Sequence, residues 1–501
     1  MRWWWVTFGM LMAGLGCACA ANPHVRLPAI ARRPDDPLIL HLVNRTSFGP
    51  RPGDLARVHD MGVAAYLEEQ LHPERVPDAP AQEQLASLSG LRVTPASFAQ
   101  DYYLPMIASR QNFTDTQKGS AKLPYLGWHL LAIAAVTLPN PARPSTILQQ
   151  NTVTQPELLY QRQNQQVFDD LQSQKLLRAV NSQRQLEDVL TDFWFNHFNV
   201  DARKIEDRPV MVEYERDAIR PHVLGRFRDL LGAVAKSPAM LFYLDNWLSR
   251  ANTLNENYGR EILELHTLGV DGGYTQNDVV NVARAFTGWT MTKPHEATGF
   301  TFNPKIHDQK EKRILGRTLP AHRGIEDGEE VLDLLAKHPS TARFIATKLV
   351  RRFVSDNPPP ALVDRAAKTF LKTGGDLRET MQTILTAPEF YAPSARRAKL
   401  KTPFEYVASA LRATGATVTN PRALNATINA MGEPLYQCQP PTGYGDRATD
   451  WISTGALVSR MNFAGNLAAN GVNAAKIDLP QTEAGKRELA LRIGGPEFQR
   501  R

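Results

Sequence analysis

The chain has 501 residues, with 58 Lys and Arg against 51 Asp and Glu and a sequence pI near 9.2. Over this length the basic excess is small, and its longest cluster (Arg396, Arg397, Lys399, Lys401) is broken by apolar residues. No single basic face of the kind that binds nucleic acid is present, which leaves a solvated surface with at most a gentle attraction to anionic envelope polymers.

The opening residues, MRWWWVTFGMLMAGLGCACAANP, place Arg2 ahead of an apolar run of about 14 residues, and Ala18-Cys19-Ala20 offers a cleavage site before Ala21. This reads as a secretory signal over 1–20, too short for a comfortable membrane span. An uncleaved anchor and a lipoprotein signal centred on Cys17 are the alternatives. The mature protein is therefore expected to be exported, periplasmic or extracellular. Cys17 and Cys19 leave with the signal, so only Cys438 stays and no intramolecular disulfide forms. Stability must come from the core, for which about 480 residues are ample. No second apolar run reaches spanning length, so no transmembrane segment is expected in the mature chain.

From Leu38 onward apolar residues recur mostly at helical spacing. Residues 38–72 read as a helix, a Gly/Pro turn at SFGPRPGDL and a second helix. Residues 139–166, rich in Pro, Gln, Asn and Thr, read as a long excursion between helices. Residues 167–250 are densely helical. The helical period is lost over 294–323, where alternation at Phe300 and Phe302 suits a short hairpin. Helices resume from 326 to about 414 and again near 451–469, and the closing GGPEFQRR has no assigned role. The expected fold is mainly α: one large multi-helical globular domain over 21–501, its core at about 38–466, with long loops and at most a short β-hairpin near 300–316.

Two helices carry polar groups on apolar faces. In RQLEDVLTDFWFNHFNV, Leu186, Val189, Leu190 and Phe193 form a stripe that includes His197, and Asn199, Asp201 and Arg203 follow as a polar rim. His197 is then either a satisfied core histidine or a ligand. In NENYGREILELHTLGVDGGYTQNDVVNVARAFTGW, Tyr258, Ile262, Leu265 and Leu268 make the apolar face. Glu261 falls inside it, with Asn257 beside it one turn earlier. Glu256, Arg260 and Glu264 fall on the opposite side as a surface ion-pair ladder. Thr275 caps the next helix.

A carboxylate on a packed face needs a partner. For Glu261 that is a buried arginine (Arg216, Arg220 or Arg284), or a pocket in which it acts as ligand or acid/base group. His307-Asp308 form a third polar island, a pair able to orient an imidazole or ligate a metal. Together His197, Glu261, His307 and Asp308 would make a mononuclear metal or acid/base site. The spacing does not require that they meet, and the cofactor stays unknown, a divalent metal being the one such a set would hold. Nucleophile-elbow, H-E-x-x-H, Walker and dinucleotide fingerprints are all lacking.

These blocks stand among others in the same chain: LVNRTSFGPRPGDL, LGRFRDLLGAVAKSPAMLFYLDN, FTFNPKIHD, HPSTARFIATKLVRRFVSDNPP, LKTPFEYVASALRATG, and CQPPTGYGD followed by WISTGALVSRMNFA. In combination, from about Leu38 to about Asn466, they resemble the DUF1800 family. The resemblance implies an exported bacterial protein of mainly helical structure without an established activity. Such proteins are often encoded beside DUF1501 proteins, which are similar to the sulfatase and alkaline-phosphatase superfamily, and this implies a shared envelope task. The matching motif positions are Asn196, His197, Asn255 to Asn257, Glu261, Gly269, Thr287 to Trp289, His307 and Asp308. Gly259 departs from the alanine common there, a mild helix penalty. Gln309-Lys310 follow the His-Asp pair where many members place a glycine before the lysine. PPTGYGD replaces a tryptophan-containing form, which argues against a stacking surface at that place.

Two readings of function follow. The first is a hydrolase-like enzyme acting on an envelope or extracellular polymer such as a polysaccharide. Glu261 would be the acid/base or ligand, with His197, His307 and Asp308 completing the centre. Asn196, Asn257, Trp194 and Trp289 would contact substrate, although plain core packing is the favoured reading of Trp194, Trp289 and Phe198. The second is a non-catalytic binding or assembly protein for a DUF1501 partner or a polymer, its buried polar groups only specifying the core.

Overall fold

Helices carry the chain almost throughout. The computed structural model describes residues 36–117, 154–205, 208–292, 299–470, 474–477 and 482–501. Pro37–Thr46 forms the first helix, with Pro37 in its opening turn and Asp36 accepting from the Leu38 amide at 2.7 Å. The second expected helix is two, Asp54–Met61 and Val63–Leu71. Gly62 at φ +86° lies between them, a backbone angle that ends one helix and redirects the next.

The polar excursion needs correcting. Its last part, from Gln155, is the start of a 27-residue helix, Gln155–Asn181, and residues 139–153 lie outside the described residues. Thr154 caps that helix by accepting from the Glu157 amide, with a proline in the first turn. This local start signal outweighs the Gln-rich composition, because glutamine is itself a good helix former.

The mainly helical class holds. Among the described residues, strand is confined to three antiparallel pairs: Trp289–Met291 with Phe300–Phe302, Lys312–Ile314 with Arg317–Leu319, and Thr417–Val418 with Ala475–Lys476. Phe300 and Phe302 thus sit in a hairpin as their alternation indicated, and a second hairpin follows it. The described helices include none long and apolar enough to cross a membrane.

One contiguous apolar core runs from Ile39 to Ile493, past the expected limit near 466. The closing residues belong to it. Lys401 N donates to Gln499 O at 2.9 Å and Arg501 N to Lys399 O at 2.8 Å, so the last residues zip onto the 399–401 segment.

The expected cap at Thr275 is present as a full capping box with Asp278. Its helix, Gln276–Ala285, packs on Asn257–Glu264 at Gly259. A Cβ at Gly259 would lie 2.8 Å from Ala283 N and 2.9 Å from Ala283 Cβ, so glycine is what lets the two backbones approach. For Gly259→Ala, the gain in helix propensity is up to ~1 kcal/mol, while forcing atoms into a packed contact costs ~1–3 kcal/mol. The second effect wins, and a lower urea midpoint is expected. A raised midpoint would show that the helices part freely.

Candidate functional site

His307 and Asp308 come together, but in a saturated network. His307 Nδ1 donates to Thr287 O at 2.7 Å and its Nε2 lies 3.3 Å from Asp327 Oδ2. Both ring nitrogens therefore face oxygens and neither is offered to a metal. Lys312 Nζ donates to the same Asp327 oxygen at 2.7 Å. Asp308 is held by Arg284 through two bonds of 2.9 and 3.1 Å, and its own amide donates to Thr287 Oγ1. Burial pushes the Asp308 and Asp327 carboxyls up, but the Arg284 and the His307–Lys312 hydrogen bonds respectively win and hold them below their usual range. The network staples the second hairpin to the helices on either side. Trp289 packs nearby against Phe286, Phe300 and Gly328, fully buried.

His197 lies elsewhere, ringed by Phe193, Trp194, Phe198, His266 and Phe344. Its Nε2 donates to His266 O at 3.1 Å, and its buried Nδ1 has no partner. Burial, then Lys348, drives its pKa far below the usual value. Trp194 is fully buried in the same aromatic stack. Both tryptophans are core residues, the plainer of the two alternatives.

Asn257, beside that face, is exposed, and its side chain donates to Leu244 O at 3.3 Å. Glu261 is half-buried. None of the three candidate arginines reaches it, because Arg216 pairs with Asp217, Arg220 with Asp188 and Arg284 with Asp308. Burial raises the Glu261 carboxyl, with Glu264 adding and Arg260 opposing. The ladder is present at Glu256–Arg260, 3.5 Å. The four-residue centre does not assemble. Among the described residues no group of three or more His, Cys, Asp or Glu is placed to hold a metal ion.

A different place gathers the chemistry. A narrow cleft of about 50 Å³ opens where the Gln155–Asn181 and Gln185–His197 helices meet the end of Pro339–Phe353, the 399–402 segment and the 433–451 loop. Its charged lining is Lys175, Asp192, Arg352, Lys399, Glu433, Asp446 and Arg501. Lys175 Nζ lies 2.7 Å from Asp192 Oδ1, and Arg352 Nη2 3.5 Å from Oδ2. The Lys175 ammonium also stands 4.8 Å from the Tyr436 ring centroid, a cation–π contact that fixes its direction.

Glu433, 7% exposed, accepts from the Phe404 amide at 2.8 Å. Burial pushes its carboxyl up to about 8, with Asp192 adding, against the opposing Phe404 bond. Lys399 is pushed down to about 8 by burial, against its ion pair with Asp356, and donates to Asp446 O at 2.6 Å.

Tyr444 and Trp451, both half-buried, form the rim with ring centroids 5.7 Å apart. An aromatic surface therefore exists where the PPTGYGD motif argued against one. Asn196 builds it: its Oδ1 accepts from Tyr444 N at 2.7 Å and its Nδ2 donates to Tyr444 O at 2.9 Å. Gly443, at φ +75°, has no room for a Cβ, which would run into Asn196. Asn199 Nδ2 donates to Cys438 O and Pro440 O, each at 2.8 Å.

Of the residues proposed from the sequence for catalysis, metal or substrate, Asn196 alone lines this cleft; Asn199 of the polar rim and Lys399 of the basic cluster line it too. Asp192 carried a weak signal, a charge inside the apolar run LTDFWF. Glu433 lies outside any helix and had none. The blocks DFWFNHFNV, KLVRRFV, LKTPFE and CQPPTGYGD nevertheless all meet here. No curated protein and no solved structure matches the chain. The model of a family described as a protein of unknown function, DUF1800, matches residues 41–500, nearly the full length, and the chain belongs to that family.

Proposed function

We propose that the protein is an exported hydrolase that cuts a linkage in an envelope or extracellular polymer, such as a polysaccharide, by general acid–base catalysis at the Asp192–Glu433 cleft. One observation carries this. Glu433, a carboxylic acid that burial keeps neutral at pH 7, shares a cleft with Asp192, a carboxylate paired to Lys175 and Arg352. A buried carboxyl that keeps its proton beside a second one held in ion pairs can divide the acid and base roles between them. Glu433 gives its proton to the leaving oxygen while water attacks, and Asp192 orients that water and takes its proton. The cleft, at about 50 Å³, admits water and a single linkage rather than a whole sugar ring. The chain itself lies across the Tyr444–Trp451 rim. The signal-like pattern over 1–20, outside the described residues, supports export.

Glu433→Gln is expected to keep the fold, because the native carboxyl is already neutral, and to lose ~10²–10⁴ in turnover. Reducing-end release from a panel of polysaccharides by the purified full chain measures this. Wild-type kcat should also fall as pH rises through about 8, where Glu433 loses its proton. Full turnover by both Glu433→Gln and Asp192→Asn would end the assignment.

One observation favours the second reading, assembly with a DUF1501 protein. Leu457, Val458 and Met461 stand exposed along the Thr454–Asn470 helix, Met461 at 61%. If wild type releases no ends from any polymer but co-purifies with that protein, the assembly reading takes over.

A further inference from the structure

A second and larger cavity, about 750 Å³, shares Arg501 with the cleft. It is bounded by the Pro37–Thr46 helix, the 396–401 segment and the chain's last residues. Six basic side chains line it: Arg396, Arg397, Lys401, Arg492, Arg500 and Arg501. Glu497 is the one acidic side chain in the lining. His41, which burial and then Arg45 push down to about 3, adds no charge at neutral pH.

These basic groups have few internal counter-charges. Arg492 pairs with Glu488 at 3.0 Å, and Arg501 Nη2 lies 2.8 Å from Glu405 with its buried Nε unpartnered. Arg396 reaches one carbonyl, Tyr391 O, at 3.5 Å. At the base, Lys401 is 4% exposed; its Nζ donates to Ser409 Oγ at 2.6 Å and stands 4.0 Å from the centroid of Phe498. That amine has no carboxylate in contact among the described residues; burial lowers it to about 7, so it is only partly charged at neutral pH, and an anion beside it would draw it to the ammonium form. Arg396, Arg397, Arg492 and Arg500 are exposed at the mouth, so the positive charge continues from a buried base to an open rim. Like charges gathered in a concave wall repel each other and raise the local concentration of anions.

We propose that this cavity is a binding site for an oligomeric anion, a ligand bearing two or more phosphate or carboxylate groups on a polar backbone. Its volume is that of a site for a ligand-sized molecule. Guanidinium groups are suited to either acid by paired hydrogen bonds. Phe498, Leu40 and Pro50 supply the apolar contact that a sugar or polyol backbone uses. The concavity favours such a ligand over a membrane surface, which would meet the rim arginines but not Lys401 or Arg501. The site does not depend on the hydrolytic reading: the two cavities share Arg501, but Asp192 and Glu433 line only the cleft, and Arg396 and Arg500 line only this cavity.

Calorimetric titration of the full chain with inorganic tripolyphosphate and with tri-galacturonate tests this, the two probes separating phosphate from carboxylate ligands. Binding of either is expected, weaker at higher salt and weakened at least ~10-fold in the surface variant Arg396→Glu/Arg500→Glu. Glu433→Gln should bind as wild type does, so a loss of turnover there leaves this result untouched. Binding of neither probe, binding unchanged in the double variant, or binding confined to anionic phosphatidylglycerol vesicles would each overturn it.

Discussion

Glu405→Ala is expected to lower folding stability by ~3–5 kcal/mol, the range for removing one member of a buried charge cluster. Glu405 is 2% exposed, and its Oε1 lies 2.7 Å from Arg352 Nη2 and 2.8 Å from Arg501 Nη2. That oxygen makes no aligned hydrogen bond, so the contacts are chiefly coulombic. Burial pushes the carboxyl up, yet Arg352 and Arg501 overcome it and hold Glu405 down to about 2. With the carboxylate gone, Arg352 and Arg501, 8% and 3% exposed, face each other and the fully buried Arg45. The loss of the Thr402 capping box adds ~1 kcal/mol. Glu405→Gln preserves most of the shape and should fare little better, because the missing charge dominates. Guanidinium unfolding measures both variants, and a loss below ~1 kcal/mol would mean that the three cations are balanced by something other than Glu405.

Acidification should unfold the protein well before Glu405 titrates. Burial, with Arg45 beside His41 and Lys348 beside His266, takes both imidazoles from 6.5 to about 3. His197 is lowered too, by burial first and Lys348 second. In the folded state these rings stay neutral, whereas in the unfolded chain they take up protons as pH falls below 6.5. The unfolded state thus binds more protons between pH 6.5 and 3, and stability falls across that window. At ~1.36 kcal/mol per pKa unit, each of His41 and His266 accounts for a loss on the order of 4–5 kcal/mol by pH 3. Glu405 acts in the same direction lower down: its folded value is depressed, so its contribution is present above its ordinary 4.5 and lost as pH drops toward about 2. Glu433, raised to about 8 in the fold, opposes this by about one ring's share, so urea unfolding at pH 7, 6 and 5 reads the net fall. A flat profile across those three points would show that the rings are solvated, and a His266→Asn variant should lose its own share of the slope.

Much of the local structure was legible because its causes are local. Thr275 with Asp278, the Glu256–Arg260 pair, and the apolar face of Tyr258 and Ile262 all lie within a few residues of one another. The start of the Gln155–Asn181 helix was local as well, at Thr154, but composition spoke more loudly than one cap. The candidate site was not legible in this way. Helical spacing shows that Glu261 adjoins an apolar face; it does not show that the neighbouring arginines are taken by Asp217, Asp188 and Asp308.

The sequence by itself determined the mainly helical class, the helix caps and the set of blocks that identify the family. It did so because a helix is a ladder of bonds between residues four apart, and its buried stripe repeats at that period. Only the tertiary structure decided which charges are neutral, which are paired and which line a cavity. Lys175, Asp192, Arg352, Lys399, Glu433 and Arg501 span more than half the chain, and no periodicity links them. Whether a buried carboxyl holds a proton depends on desolvation and on charges brought from distant segments, and those are set when the helices pack.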